Sequence, residues 1–189
     1  MKIVVTGCAG FIGSHLCERL IRENHRVIGI DNFDNFYPRS IKEENLSKLR
    51  NSSLFTFYEA DICNREELEE INDNFDVVIH LAAKAGVRPS IENPKGYVDT
   101  NIHGTLNILQ FMLDKKINKI VFASSSSVYG DRAISPYREE SITDFPISPY
   151  AFTKKSGELI LHNYHNLFQI DSVALRFFTV YGPRQRPDL

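Results

Sequence analysis

The chain has 189 residues, of which 42% are hydrophobic and 24% charged, and its formal net charge is −2. That is the size of one large domain with a sizeable core and the composition of a folded globular protein, which excludes a disordered chain. So small a charge gives no electrostatic case for a nucleic-acid or anionic-membrane partner, and any phosphate-bearing ligand has to be held by local groups.

In chain order, the apolar run Ile3-Val4-Val5, the periodic Phe11, Ile12, Leu16 and Leu20, and the run Val27-Ile28-Gly29-Ile30 predict a strand, a helix and a strand. The pattern continues with a strand near 54–58, a helix near 64–73, a strand over 76–80, a helix near 95–114 and a strand over 119–123. A helix near 149–168 leads to a last strand over 172–177. Near-continuous apolar strands joined by helices predict an α/β fold, a doubly wound parallel sheet of Rossmann type, spanning residues 1–189 as one dinucleotide-binding domain. Two irregular stretches, Asn32 to Arg39 and Gly130 to Ser148, follow carboxyl ends of strands, the edge where such sheets bind ligands. The segment from Tyr181 to Leu189 is rich in turn formers and predicts a chain that stops inside a loop.

Cys8, Cys17 and Cys63 are scattered and contain no Cys-x-x-Cys pair, so neither a disulfide framework nor a metal site is expected. No stretch approaches transmembrane length, and the apolar run before Gly7 is too short for a signal peptide, so a cytoplasmic protein is expected. His162 and His165 lie three apart without further ligands and are expected on the surface.

The chemistry concentrates at strand ends. In Gly7-x-x-Gly10-x-x-Gly13, Gly7 suits a tight turn, Gly10 a close approach to a diphosphate, and Gly13 close packing of helix on strand. The free N–H groups of Phe11, Ile12 and Gly13 would then bind the anion. Asp31 lies eighteen residues after Gly13, at the end of the second strand, where it would accept from ribose hydroxyls and repel a 2′-phosphate, favouring NAD over NADP. Tyr150 and Lys154 are four apart after Ser148 and Pro149, a cap and a first helical residue, so they share one helix face. An ammonium there would lower the phenol from its usual value of about 10 and make it a general base. A lone Tyr-x-x-x-Lys is common on solvated helices. Beside the serine run Ser124-Ser125-Ser126-Ser127 and a dinucleotide turn it becomes a Ser-Tyr-Lys site.

On Thr6 to Gly13, Asp31-Asn32, Asp61-Ile62, His80 to Ala83, Ser124 to Gly130, Tyr150 to Lys154 and Arg176 to Phe178, the chain resembles the extended short-chain dehydrogenase/reductase family, the NAD-dependent epimerases and dehydratases. Within it, the chain is most similar to the nucleotide-sugar 4-epimerases of the UDP-glucuronate type, through Lys84 to Ser90, Asp31-Asn32-Phe33 and Phe177 to Arg184. The resemblance implies that Asp31 and Asn32 hold the adenosine ribose and that Asp61 and Ile62 contact adenine. It places Leu81, Ala82, Ala83, Lys84 and Ser124 along the cofactor. Ser125, Tyr150 and Lys154 are catalytic on this resemblance, the last two also holding the nicotinamide ribose, with Ser125 against Ser126 or Ser127 the open question of register. Ser126, Ser127 and Thr179 fall on the UDP-sugar side. Arg88 and Arg184 are candidates for the sugar carboxylate or the nucleotide diphosphate, since a guanidinium binds either through two hydrogen bonds.

Related dehydratases carry an Asp-Glu pair where this chain has Ser126-Ser127, and related decarboxylases a glutamate at Ser127. Simple oxidation and re-reduction at C4 through a 4-keto sugar is therefore expected. Family members continue into a C-terminal lobe over the sugar nucleotide, and a chain without it is expected to bind NAD with little epimerase activity. A non-catalytic NAD-binding module, and a 4-epimerase of UDP-glucose or UDP-N-acetylglucosamine, remain open alternatives. The apolar positions Ile102, Leu106, Leu109 and Leu113 with Leu159, Ile160 and Leu161 read mostly as core, and the resemblance adds a homodimer formed through these two helices.

Overall fold

The computed structural model describes residues 1–36, 38–131 and 134–185. Six strands, β1 (Lys2–Thr6), β2 (Arg26–Asp31), β3 (Phe55–Glu59), β4 (Val77–His80), β5 (Lys119–Ser125) and β6 (Asp171–Phe177), form one sheet in the order β3-β2-β1-β4-β5-β6. Every adjacent pair is parallel. The order reverses between β1 and β4, which opens a crevice at their carboxyl ends.

Alternation along the strands divides the core into two layers. Ile3, Val5 and Val27 face the layer under α1 (Phe11–Arg22) and α2 (Arg39–Ser47), with Cys17, Leu46 and Leu49. Val4, Ile28 and Ile30 face the other, packed by Leu68 of α3 (Arg65–Glu69), Ile108, Leu109 and Met112 of α6 (Gly104–Asp114), and Leu161 of α7 (Pro149–Phe168). Burial on both faces is why these strands read as continuous apolar runs. β6 differs: as the edge strand it leaves Val173 54% and Leu175 41% exposed.

The ends of α7 follow its sequence. Ser148 accepts a hydrogen bond from Ala151 N at 3.1 Å, Pro149 opens the helix, and Gln169 closes it in the left-handed region at φ 56°. Four elements depart from the sequence reading. α2 and the short helix α4 (Val87–Glu92) fill stretches to which the sequence pattern assigns no element. The long helix near 95–114 is three pieces: α5 (Pro94–Val98), a π-helical turn over Asp99–His103, and α6. The helix near 64–73 shortens to α3, because the chain beyond it turns Asp73 toward Lys2 and the Tyr58 hydroxyl.

Leu109 and Leu161 are in the core, whereas Leu159 is 57% exposed and Ile102, Leu106 and Leu113 are half-buried. His162 and His165 are exposed on α7. Among the described residues, no helix is long and apolar enough to cross a membrane and no group of three His, Cys, Asp or Glu could hold a metal. The end of the terminal loop, from Arg186 to Leu189, lies outside the described residues.

Candidate functional site

Among the described residues, two of the clefts have the same volume of about 600 Å³, so volume does not select between them. One, lined by Lys119, Asp171 and Ser172, lies at the amino ends of β5 and β6. The other runs along the carboxyl ends from Asp31 through the glycine turn to Ser125 and Tyr150, the edge that gathers the chemistry.

The glycine turn is shaped by its own backbone. Gly7 has φ +71°, and a Cβ there would sit 2.8 Å from Ala82 N on the neighbouring strand end. A Cβ on Gly13 would lie 2.1 Å from Gly7 O. These contacts press the start of α1 onto the turn. Its first turn has no side-chain cap and no acidic residue, and Gly10, Phe11, Ile12 and Gly13 all line the cleft. The first N–H groups of a helix have no partner within it, and together with the dipole they suit an anionic diphosphate.

Asp31, 7% exposed, accepts from Ala9 N at 3.1 Å and Phe33 N at 2.9 Å. Asn32 donates to Asp61 Oδ2 at 3.0 Å, which joins the ends of β2 and β3 around a space walled by Ala60 and Ile62. Lys84 donates to Asp34 Oδ2 at 2.8 Å across the cleft wall, and this contact holds the Asp34 carboxyl below its ordinary range despite burial. A planar base, a ribose and a diphosphate have complementary groups here, so the residues fit a dinucleotide.

The loop after β4 is fixed from behind. Ala82 N donates to Thr6 Oγ1 at 3.1 Å, and Thr6 and Thr105 flank the His80 ring at 2.7 and 3.1 Å. The Thr105 hydroxyl donates to Asn101 O at 2.6 Å, so it accepts from His80 Nε2–H, while Nδ1 accepts from Thr6. Burial lowers His80 from 6.5 to about 3 and keeps the ring neutral. Asn101, in the π-helical turn, accepts from Lys84 N at 2.8 Å and donates to Lys84 O and Thr153 Oγ1, each at 3.0 Å. One buried amide thus joins the cleft wall to α7.

At the other end of the cleft, the Ser125 side chain lies against the Tyr150 hydroxyl and accepts from Ser127 N at 3.1 Å. Ser124 donates to Glu158 Oε1 at 2.5 Å, and Arg176 grips Glu158 through two bonds of 2.9 Å, which fixes β5 and β6 against α7. Lys154, 4% exposed, donates to Ala123 O at 2.7 Å with its ammonium 6.0 Å from the Tyr150 ring centre. The phenol of this chain does not show the lowered pKa that the Tyr-x-x-x-Lys spacing suggests. Burial raises it and the Ser125 hydroxyl pulls it partway back.

Burial also lowers Lys154 from 10.5 to about 8, so the folded chain holds a charged ammonium at a cost. Between about pH 8 and about 10.5 the unfolded chain binds the extra proton, and stability rises with pH. Lys154→Met should therefore be more stable than the parent below pH 8, by about 1–3 kcal/mol after the lost bond to Ala123 O. In urea melts that advantage should shrink as pH rises through the window, and an advantage independent of pH would show that the ammonium carries no burial penalty.

Most residues expected at a site share this cleft: Gly7, Gly10 to Gly13, Asp31, Asn32, Asp61, Ile62, Leu81 to Lys84, Ser124 to Ser127, Tyr150, Lys154 and Thr179. The two arginines are elsewhere. Arg88 is exposed on α4, and Arg184 pairs with Glu18 at 3.0 Å and His15 at 2.7 Å on the outer side of α1. Lys42, Asp34 and Phe36 also line the cleft and went unnoticed in the sequence. Lys42 and Leu46 on one face of Arg39–Ser47 were the available signal, masked by four charged residues in nine.

Residues 3–189 match the NAD dependent epimerase/dehydratase family. A UDP-glucuronate 4-epimerase of Thermodesulfobacterium geofontis is 47% identical over 188 residues, which are 98% of this chain and 58% of that protein. The crystal structure of a Bacillus cereus UDP-glucuronic acid 4-epimerase in complex with UDP-glucuronic acid and NAD superimposes with a TM-score of 0.89 at 45% identity, covering 100% of this chain and 60% of that one. A UDP-N-acetylglucosamine 4-epimerase of Methanobrevibacter ruminantium in complex with UDP-N-acetylmuramic acid gives 0.88 at 38% identity, covering 100% and 58%. The chain thus spans about three fifths of the length of these relatives. With a match over nearly its whole length, the chain belongs to the NAD dependent epimerase/dehydratase family.

Proposed function

We propose that this protein is an NAD-dependent 4-epimerase of a UDP-sugar, of the UDP-glucuronate type, with residues 1–189 as its dinucleotide-binding and catalytic unit. The observation that carries this reading is that Ser125, Tyr150 and Lys154 line the same cleft as the glycine turn and Asp31. Bound NAD would supply a hydride acceptor and donor at the sugar C4 together with a positively charged ring. The uncapped start of α1 would hold the diphosphate, Asp31 and Asn32 a ribose, and Asp61 and Ile62 the adenine edge.

Ser125 holds the C4 hydroxyl and Tyr150 takes its proton as the C4 hydride leaves, which yields a 4-keto sugar. Return of hydride to the opposite face of the C4 carbonyl, with the proton going back from Tyr150 to its oxygen, gives the epimer with no net redox change. Lys154 positions Tyr150 from within the same helix. Ser126 and Ser127, which stand where an elimination would need an acid and a base, favour epimerisation over dehydration. The exposed Leu159 on α7 and the half-buried Leu106 on α6 support a homodimer through these two helices, and a cytoplasmic setting accords with this chemistry.

The second reading is a 4-epimerase of neutral UDP-glucose or UDP-N-acetylglucosamine. It is favoured by Arg88 and Arg184 lying outside the cleft, which leaves no arginine among its described lining residues to meet a carboxylate. Mixing the NAD-bound protein with each UDP-sugar and following the near-ultraviolet absorbance of reduced nicotinamide separates the readings. UDP-glucuronate should give the largest transient. A transient only with neutral sugars would favour the second reading, and NAD binding without any transient a non-catalytic module.

A further inference from the structure

We infer that Lys42 is a latent 2′-phosphate anchor, held silent by Asp31, and that this pair, rather than Asp31 alone, sets the choice between NAD and NADP. The inference rests on the proposed binding of a nicotinamide dinucleotide in this cleft.

Asp31 and Lys42 both line the cleft at the carboxyl end of β2, where an acidic residue meets the ribose 2′-hydroxyl and a cation accommodates a 2′-phosphate. Their side chains are only 6% and 8% exposed and stand 3.4 Å apart, Lys42 Nζ to Asp31 Oδ1. A charge so buried is kept by its partner. In the parent chain the ammonium is therefore matched by a carboxylate, and an incoming phosphate dianion meets Asp31 before it gains a free cation.

Lys42 does not depend on Asp31 for its place. It sits in the middle of α2, and Asn45, one turn on and 3% exposed, donates to Ala9 O at 2.9 Å, which pins the helix to the glycine turn. Replacing the Asp31 carboxylate should leave the ammonium at the same wall. Asp34 is a second carboxylate acting on Lys42, and it is already bonded to Lys84 at 2.8 Å. Arg39 is engaged by Glu59 at 2.7 and 2.8 Å and by Glu43 at 2.9 Å, and it does not line the cleft. Lys42 is therefore the cation nearest the carboxylate that would meet the ribose.

The test is equilibrium binding of NAD and NADP by calorimetry to the purified parent, Asp31→Asn, Asp31→Asn/Lys42→Gln and Asp31→Asn/Lys42→Arg. The parent should prefer NAD. Asp31→Asn should tighten NADP binding by roughly tenfold or more, the size of a charge-assisted hydrogen bond. Lys42→Gln in that background should abolish the gain, Lys42→Arg should keep it, and the gain should fall with added salt. Asp31→Asn without a gain, or a gain that survives Lys42→Gln or is insensitive to salt, overturns the inference while leaving NAD binding by the parent intact. A parent that binds neither dinucleotide overturns the cleft assignment itself. Should Lys42→Gln fail to melt cooperatively, the salt dependence of Asp31→Asn decides.

Discussion

Gly13→Ala should destabilise the protein by about 3–5 kcal/mol, a fall of roughly 10 °C in melting temperature for a chain of this size, and should weaken dinucleotide binding more than any side-chain deletion in the cleft. Gly13 is helical and alanine suits a helix, so backbone conformation opposes nothing. The cost is steric. The added carbon would lie 2.1 Å from Gly7 O and 2.9 Å from Cys8 Cα and Gly7 C, all of them backbone atoms that no rotamer change can move. Relief requires α1 to lift from the end of β1, and that helix buries Gly13, Ser14 and Cys17 against it. The same movement withdraws the N–H groups that face the cleft.

Ser14→Ala on the same turn is the control. Ser14 is fully buried, but its hydroxyl bonds only Phe11 O at 3.1 Å, so its loss should cost about 1 kcal/mol. Thermal melts and NAD titration of both variants check the prediction. A Gly13→Ala protein that melts within about 2 °C of the parent would mean that α1 can shift without loss, contrary to a jigsaw-packed interior.

That turn was legible in the sequence because its constraints are local: a strand, three glycines and the start of a helix lie within thirteen residues. The same holds for α7, where Ser148, Pro149 and the spacing of Tyr150 and Lys154 fix start and face together. What the sequence hid depends on distant partners. Asp99-Thr100-Asn101-Ile102-His103 reads as continuous helix, yet it widens to a π turn in which Asn101 reaches Lys84, 17 residues away, and Thr153, 52 away. Lys42 sits in a helix of mostly polar residues and reads as solvated, but Asp31 eleven residues earlier holds it inside. Arg184 reads as an anion ligand because nothing nearby in the sequence engages it. Glu18, 166 residues before it, does. Local pattern names an element and a residue's chemistry, and tertiary contact decides whether that chemistry faces the cleft.

Tyr150 depends on both. On the proposed mechanism, Tyr150→Phe should slow reduction of bound NAD by UDP-glucuronate by roughly 10²–10⁴-fold at saturating NAD. The ring would keep its edge-on packing against Tyr97, 6.3 Å away at 83°, so the change removes one oxygen and little else. Burial raises the phenol above its ordinary range, so at neutral pH it carries its proton unless positive charge is brought beside it. The parent's rate should therefore rise with pH toward the phenol's own titration, and the residual rate of Tyr150→Phe should lose that rise. Ser125→Ala should shift the parent's profile to higher pH, because the Ser125 hydroxyl is what draws the phenol partway down. A Tyr150→Phe protein that kept either the rate or its pH dependence would move the proton transfer to another group. Lys154, lowered to about 8, is the titratable group within the same helix turn that would then have to carry it.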